Sequence, residues 1–152
     1  MMKMIKKTKI SEGCQPNNIP SEVLLSPEPI ILKGLVKDWG LVNAGLKSDK
    51  EAINYLKSFY NGKPAGAYFG SPEIEGRFAY NEDLSKVNFE VRKTQLDEVL
   101  DLIANHLSNP APPAHYVASN AIDEHFPELK NTNELSFEQS HMKGVTPVAS
   151  IW

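Results

Sequence analysis

The side chains that could carry chemistry in this chain are few, and their spacing matches no common metal-binding pattern. The four histidines are His106, His115, His125 and His141. No two of them have the spacing of a helical zinc site, and none begins a His-x-Asp or His-x-Glu iron pair. Asp123, Glu124 and His125 form the densest group of potential ligands, but consecutive helical residues point in different directions. We therefore predict no metal site in this chain and a capping or surface role for that group.

The sequence gives no better support for a nucleophile or a phosphate-binding loop. No serine lies in a Gly-x-Ser-x-Gly turn, and the single cysteine, Cys14, has no histidine near it in sequence to act as a base. Lys63 lies among glycines, but a proline follows it where a phosphate loop requires serine or threonine. A pair of catalytic carboxylates of the glycosidase kind would meet only in the folded protein. Residue types and spacing alone thus indicate a domain without a self-contained active site.

The composition is that of one ordinary globular domain. Of the 152 residues, 41% are apolar and 23% are charged, close to the averages for soluble proteins. A net charge of −3 provides no basic face for nucleic acid, and the early lysines indicate a solvated tail. No stretch has the apolar length of a signal peptide or of a membrane span. One cysteine can form no intrachain disulfide, so we expect a cytoplasmic protein that binds neither nucleic acid nor membrane.

Two amphipathic helices with a period of 3.6 residues are predicted. The first begins at Ser48, which has capping-box spacing to Glu51. Its apolar face is Ala52, Ile53, Leu56, Phe59 and Tyr60. The second begins at Thr94, which has cap spacing to Asp97, and the prolines of NPAPP end it. Its apolar stripe is Leu96, Val99, Leu100, Ile103 and Leu107.

Short strands are predicted around these helices. The apolar run within Pro27–Trp39 indicates a strand leading into a turn, and residues 65–91 alternate as two or three antiparallel strands in AGAYF, GRFAY and NFEV. Residues 115–122 have strand character, and a short helix or turn follows with Phe126 and Leu129 directed inward. A polar loop over 131–143 then leads to a final apolar run, GVTPVASIW. The predicted fold class is α+β.

Four segments in this order resemble the cupin-like branch of the JmjC-type 2-oxoglutarate and iron(II)-dependent oxygenases. They are PIILKGLVKDW, GRFAYNEDL with NFEV, HYVASNAIDEHFPEL and PVASIW. The resemblance covers the chain from Pro27, which divides it into a tail and lead-in over 1–26 and a cupin-like part over 27–152. It implies that helices and short antiparallel strands form the N-terminal part of a double-stranded β-helix, a jelly-roll barrel that is incomplete in this chain.

The same resemblance implies an activity and one site residue. In that family the strand ending in Ile-Trp precedes a glycine-rich turn, the His-x-Asp iron pair and a further histidine, so we expect these beyond Trp152. The chain would then bind no cofactor and be inactive alone, whereas the complete protein would use Fe(II) and 2-oxoglutarate to hydroxylate a C–H bond, often on a protein substrate. Tyr116 is implied to hold the distal carboxylate of 2-oxoglutarate, with its lysine or other partner missing; the alternative is that Tyr116 only fills the barrel mouth.

Two other hypotheses remain open from the sequence. The chain could be a non-catalytic interaction or oligomerisation module derived from that family, or part of a split enzyme completed by another chain. An unfinished sheet would leave Val148, Ile151 and Trp152 uncovered, with an unpaired strand edge beside them. We therefore expect the protein to self-associate.

Overall fold

The computed structural model describes residues 7–135 and 148–152. His141, most of the predicted polar loop and the first part of the final apolar run lie outside these residues. The strands are β1 (Lys9–Glu12), β2 (Ile30–Lys33), β3 (Ala65–Gly70), β4 (Glu90–Thr94), β5 (Ala114–Val117), β6 (Asn120–Ala121) and β7 (Ser150–Ile151). The helices are α1 (Ser21–Leu24), α2 (Gly40–Lys47), α3 (Asp49–Phe59), α4 (Leu96–His106) and α5 (Ile122–His125), with 3-10 turns at Pro72–Ile74 and Leu129–Thr132.

The described strands form three small sheets. The largest has the antiparallel order β4-β3-β5, and β6 pairs antiparallel with β7. In contrast to the predicted antiparallel strands, β1 and β2 pair in parallel, with Lys9 opposite Ile30 and Glu12 opposite Lys33. The fold is therefore a mixture of helices and strands in open sheets. No helix in the described part of the chain is long and apolar enough to cross a membrane.

The core lies between the helices and one face of the three-stranded sheet. Ala67 of β3 is fully buried, and Ala65 packs with Leu96 at the start of α4. Phe126 and Leu129 complete this cluster at 1% and 2% exposure, which confirms that both point inward. Partly buried residues packed against the cluster are Tyr55, Leu56, Phe59, Tyr60, Val117, Ile122 and Ile151.

Helix α3 is formed as predicted, and α2 was not predicted. The Ser48 hydroxyl accepts a hydrogen bond from the Glu51 amide at 3.1 Å, so the helix begins directly after its cap. Helix α2 packs on α3, and the side-chain oxygen of Asn133 accepts from the Leu41 amide at 2.9 Å. This bond joins residues far apart in sequence, so a local pattern could not reveal it.

The predicted beginning of the second helix is wrong. Thr94 is the last residue of β4, where it pairs with Ala65, and Gln95 precedes α4 without a capping side chain. The Thr94 hydroxyl instead donates to the Glu98 carboxylate at 2.6 Å. Strand pairing thus holds Thr94 in an extended conformation. The predicted apolar stripe is buried only at its start, since Ile103 and Leu107 are 36% and 48% exposed.

Two strand predictions also need correction. GRFAY is not a strand, because Glu75 and Gly76 both have positive φ, 50° and 73°, and turn the chain away from β3. Only the isolated bridge between Tyr80 and Val87 remains in this region. Residues 115–122 form two strands, β5 and β6, which belong to different sheets.

The cap of α3 yields a stability prediction. Replacing Ser48 with alanine leaves the Glu51 amide without its acceptor, so we expect a loss of about 1 kcal/mol in the free energy of unfolding. Urea denaturation measures the loss. Ser58→Ala is the matched control: the Ser58 hydroxyl donates to a carbonyl within the same helix at 2.7 Å and caps nothing. Equal effects of the two substitutions would contradict the capping role.

Candidate functional site

The candidate site is the face of the β4-β3-β5 sheet that lies opposite the core, and Tyr116 is part of it. Strand residues alternate between faces, so Ala65, Ala67 and Val117 face the helices while Tyr68 and Tyr116 face the other way. The register places Tyr116 directly opposite Tyr68, and their ring centroids are 5.5 Å apart.

Three further aromatic rings surround these two tyrosines. Phe78 lies 5.7 Å from Tyr116, and Phe89 lies 5.2 Å from Tyr68. Both come from the segment between β3 and β4, which explains the aromatic residues of GRFAY and NFEV even though GRFAY forms no strand. Trp152 lies 6.3 Å from Tyr116, at the end of β7. We name these five residues the aromatic face.

The aromatic face combines apolar walls with hydroxyl groups that are available to a ligand. Tyr68 and Tyr116 are each partly buried, and neither hydroxyl has a hydrogen-bond partner among the described residues. A phenol can donate a strong hydrogen bond to an anion while its ring packs against apolar groups. Tyr68 was missed by the sequence analysis, although its position in the alternating AGAYF segment was a usable signal.

A cation lies on the same side of the sheet. Lys93 of β4 is paired with Gly66 of β3, so it shares a face with Tyr68, two residues further along β3. Lys93 is exposed and has no ion-pair partner within the described ranges. A Cβ built on Gly66 would meet nothing within 4 Å, so the surface between these residues is open. Lys93 could not be identified from the sequence, because its place depends on strand register.

A cavity of about 160 Å³ lies where α4, β5 and β7 meet, at the edge of this site. Its walls are mostly apolar and come from α3, α4, β5 and the end of the chain. Leu100 and Ile103 line it from α4, His115 and Tyr116 from β5, and Trp152 after β7. The exposure of Ile103 is thus explained by the cavity beside it.

The acidic group at α5 serves structure and does not converge on an ion. Asp123 pairs with Lys130 at 2.9 Å, whereas Glu124 pairs with Lys63, whose ammonium lowers the pKa of that carboxyl by hydrogen bonding. His125 is buried, and its Nδ1 lies 3.1 Å from the Lys63 carbonyl oxygen, which can only accept a hydrogen bond. Nδ1 therefore carries a proton. The contacts of Glu124 and His125 fasten α5 to the loop after α3, and the Asp123 pair joins α5 to the 3-10 turn that contains Lys130.

The described residues contain no metal site of the usual kind. No group of three or more His, Cys, Asp and Glu side chains in the ranges 7–135 and 148–152 could hold a metal ion. The Cys14 sulfur lies 3.7 Å from the Ser11 hydroxyl oxygen, and no basic side chain of the described segments forms a hydrogen bond with it.

Comparison with known proteins identifies one family. A family model described as "cupin-like domain" matches residues 16–152 of the chain. Neither the curated proteins nor the solved structures provide a match.

Proposed function

The chain belongs to the cupin-like domain family, and we propose that it forms the co-substrate-facing wall of a 2-oxoglutarate and iron(II)-dependent oxygenase with a jelly-roll fold. The observation that supports this most directly is Tyr116. Its ring is held by Tyr68, Phe78 and Trp152, while its hydroxyl has no partner in the described part of the chain. A fixed, unpaired donor on an aromatic wall suits one end of a small dicarboxylate.

The charged and hydrogen-bonding groups on this face of the sheet also support the proposed binding of 2-oxoglutarate. A carboxylate leaving water needs both hydrogen-bond donors and a cation, because an unpaired buried charge is strongly unfavourable. The sheet provides Tyr116 and Lys93 on one face, separated by the open position at Gly66. The role proposed for these residues is to hold and orient the distal carboxylate, while Phe78 and Phe89 exclude water from its methylene groups.

Iron does not fit the residues described here, so we derive no step that passes through it. When bound, iron and 2-oxoglutarate would activate O2, which is the oxidant: one oxygen atom would enter succinate as 2-oxoglutarate loses CO2, and the other would enter the C–H bond of the substrate. Since the sequence contains no His-x-Asp or His-x-Glu triplet, the proposal assigns the iron ligands to polypeptide outside this sequence. A protein side chain in the cytoplasm is the proposed substrate.

The first test concerns metal. Protein of this sequence should purify without stoichiometric iron and should show no 2-oxoglutarate turnover, because the ligands it contributes do not include an iron triad. Elemental analysis and a succinate assay measure both quantities. About one tightly bound iron per chain would refute the assignment of the ligands to other polypeptide.

The second test concerns the Tyr116 hydroxyl, in a chain extended through the proposed iron-binding half. Tyr116→Phe keeps the ring and removes a hydrogen bond to a charged group, so the apparent affinity for 2-oxoglutarate should fall roughly tenfold to a hundredfold. Lys93→Gln should weaken it in the same direction, and neither change should affect iron content.

Tyr80→Phe is the matched control for this experiment, because Tyr80 is 66% exposed and lies outside the aromatic face. Melting temperature checks that all variants fold. An unchanged 2-oxoglutarate dependence in Tyr116→Phe would assign Tyr116 to packing alone.

A non-catalytic interaction module is the second candidate, and the surface around β7 favours it. Val148 and Trp152 are each 74% exposed, and in the described structure β7 pairs only with the two-residue strand β6. An apolar surface beside an open strand edge is suited to pairing with a second copy of the chain.

This surface predicts self-association. Light scattering after size exclusion should show a mass that rises with protein concentration, and Trp152→Ser should reduce that rise because it removes apolar area from the contact. Leu46→Ser is the control, since Leu46 is 80% exposed on α2, away from β7. A monomer at every concentration would count against the interaction module.

A further inference from the structure

The ring nitrogens of His115 have unusual surroundings, although the residue as a whole is only partly buried. It follows Ala114 on β5 and lies on the face opposite Tyr116, against α4. Both of its ring nitrogens are inaccessible to solvent, and neither has a hydrogen-bond partner among residues 7–135 and 148–152. Buried polar atoms in folded proteins are nearly always paired, so an unpaired imidazole needs a specific explanation.

The neighbours of His115 offer it no compensating charge. His106 of α4 has its ring 6.1 Å away, and Phe69 of β3 packs nearly perpendicular to it at 5.4 Å. From β4, the Arg92 guanidinium lies 4.9 Å from the Phe69 ring and is paired with Glu90. Within the described ranges, the titratable ring in contact with His115 is thus another base, and the charge on the far side of Phe69 is a cation that is already paired.

These surroundings favour a neutral imidazole. Burial lowers the pKa of His115 below its ordinary value of 6.5, and the proximity of His106 lowers it further. At neutral pH the ring is therefore uncharged and compatible with its apolar contacts. A proton added there would be desolvated and would face a second imidazole.

We propose that His115 and His106 form a pH-responsive latch between β5 and α4, in which protonation of His115 releases the C-terminal half of α4 from the sheet. That half of the helix buries less apolar surface than the first half, because Leu102 and Ile103 are 37% and 36% exposed while Leu96 and Val99 are 4% and 2% exposed. His115 lines the cavity of about 160 Å³ beside them, so an outward movement of α4 would bring water to the charged ring. Release of α4 would widen this cavity next to Tyr116. The latch does not depend on the proposed oxygenase role.

The sign of the pH dependence follows from linkage. Because the folded-state pKa of His115 is below 6.5, the open or unfolded form binds the proton more tightly than the closed form. The closed state is unaffected above pH 6.5, loses stability as the pH falls below that value, and carries the full penalty below the lowered pKa.

Hydrogen exchange and fluorescence test the latch. Between about pH 7.5 and about pH 5, the amide protection of residues 100–106, corrected for intrinsic exchange, should fall by up to tenfold per pH unit, the limit for one proton. Trp152 lines the cavity, and the chain has only one other tryptophan, Trp39. In a Trp39→Phe background, the emission intensity of Trp152, which is 74% exposed but lines the same cavity as His115, should change over the same range.

Three variants decide the proposal. His115→Gln and His115→Phe cannot titrate, so both should remove the transition. His106→Gln removes the neighbouring base and should move the midpoint to higher pH. Urea unfolding at about pH 7.5 checks that each variant is folded, and if both His115 variants fail, the His106→Gln midpoint decides alone. The latch is refuted by a wild-type chain without a transition, by folded His115 variants that retain it, or by an unmoved midpoint in His106→Gln.

Discussion

The central constraint of this structure is the alternation of residues along β3. On one side, the side chains of Ala65 and Ala67 are small, so α4 and the buried Phe126 can approach the sheet closely. On the other side Tyr68 provides the ring around which the aromatic face is arranged. Protein interiors are packed as densely as organic crystals, so a larger side chain at Ala67 would displace the helices. The core and the candidate site therefore depend on the same six-residue strand.

Sequence reasoning succeeded where the determining interactions are local. Ser48 and Glu51 are three residues apart, and their capping bond was predictable from spacing alone. It failed where residues far apart in the chain determine the local conformation. Thr94 looks like a helix cap but is held in β4 by its pairing with Ala65. Helix α2 escaped prediction because the Asn133 side chain satisfies its first turn from 92 residues away.

The residues of the candidate site also divide into those that a local pattern could identify and those that it could not. Tyr116 was found because it lies in a segment that resembles a known family, and the structure places it on a sheet face among other rings. Tyr68 and Lys93 join it only through strand register, which a single sequence does not specify. His115 was predicted to lie in a strand. The inaccessibility of its ring nitrogens could not be predicted, because it results from the packing of α4 against that strand. Groups that act together here come from segments far apart in the chain.

The two functional hypotheses are physically separable because Tyr116 and His115 are consecutive residues on opposite faces of β5. Removing the Tyr116 hydroxyl leaves the contacts of His115 with Phe69 and His106 untouched, and replacing His115 leaves the rings around Tyr116 in place. Two features would link them: the cavity, which both residues line, and a movement of the β5 backbone. Since β5 is an edge strand of its sheet, such a movement breaks fewer backbone hydrogen bonds than it would in a central strand. Loss of α4 packing on one face could therefore be transmitted to the Tyr116 hydroxyl on the other.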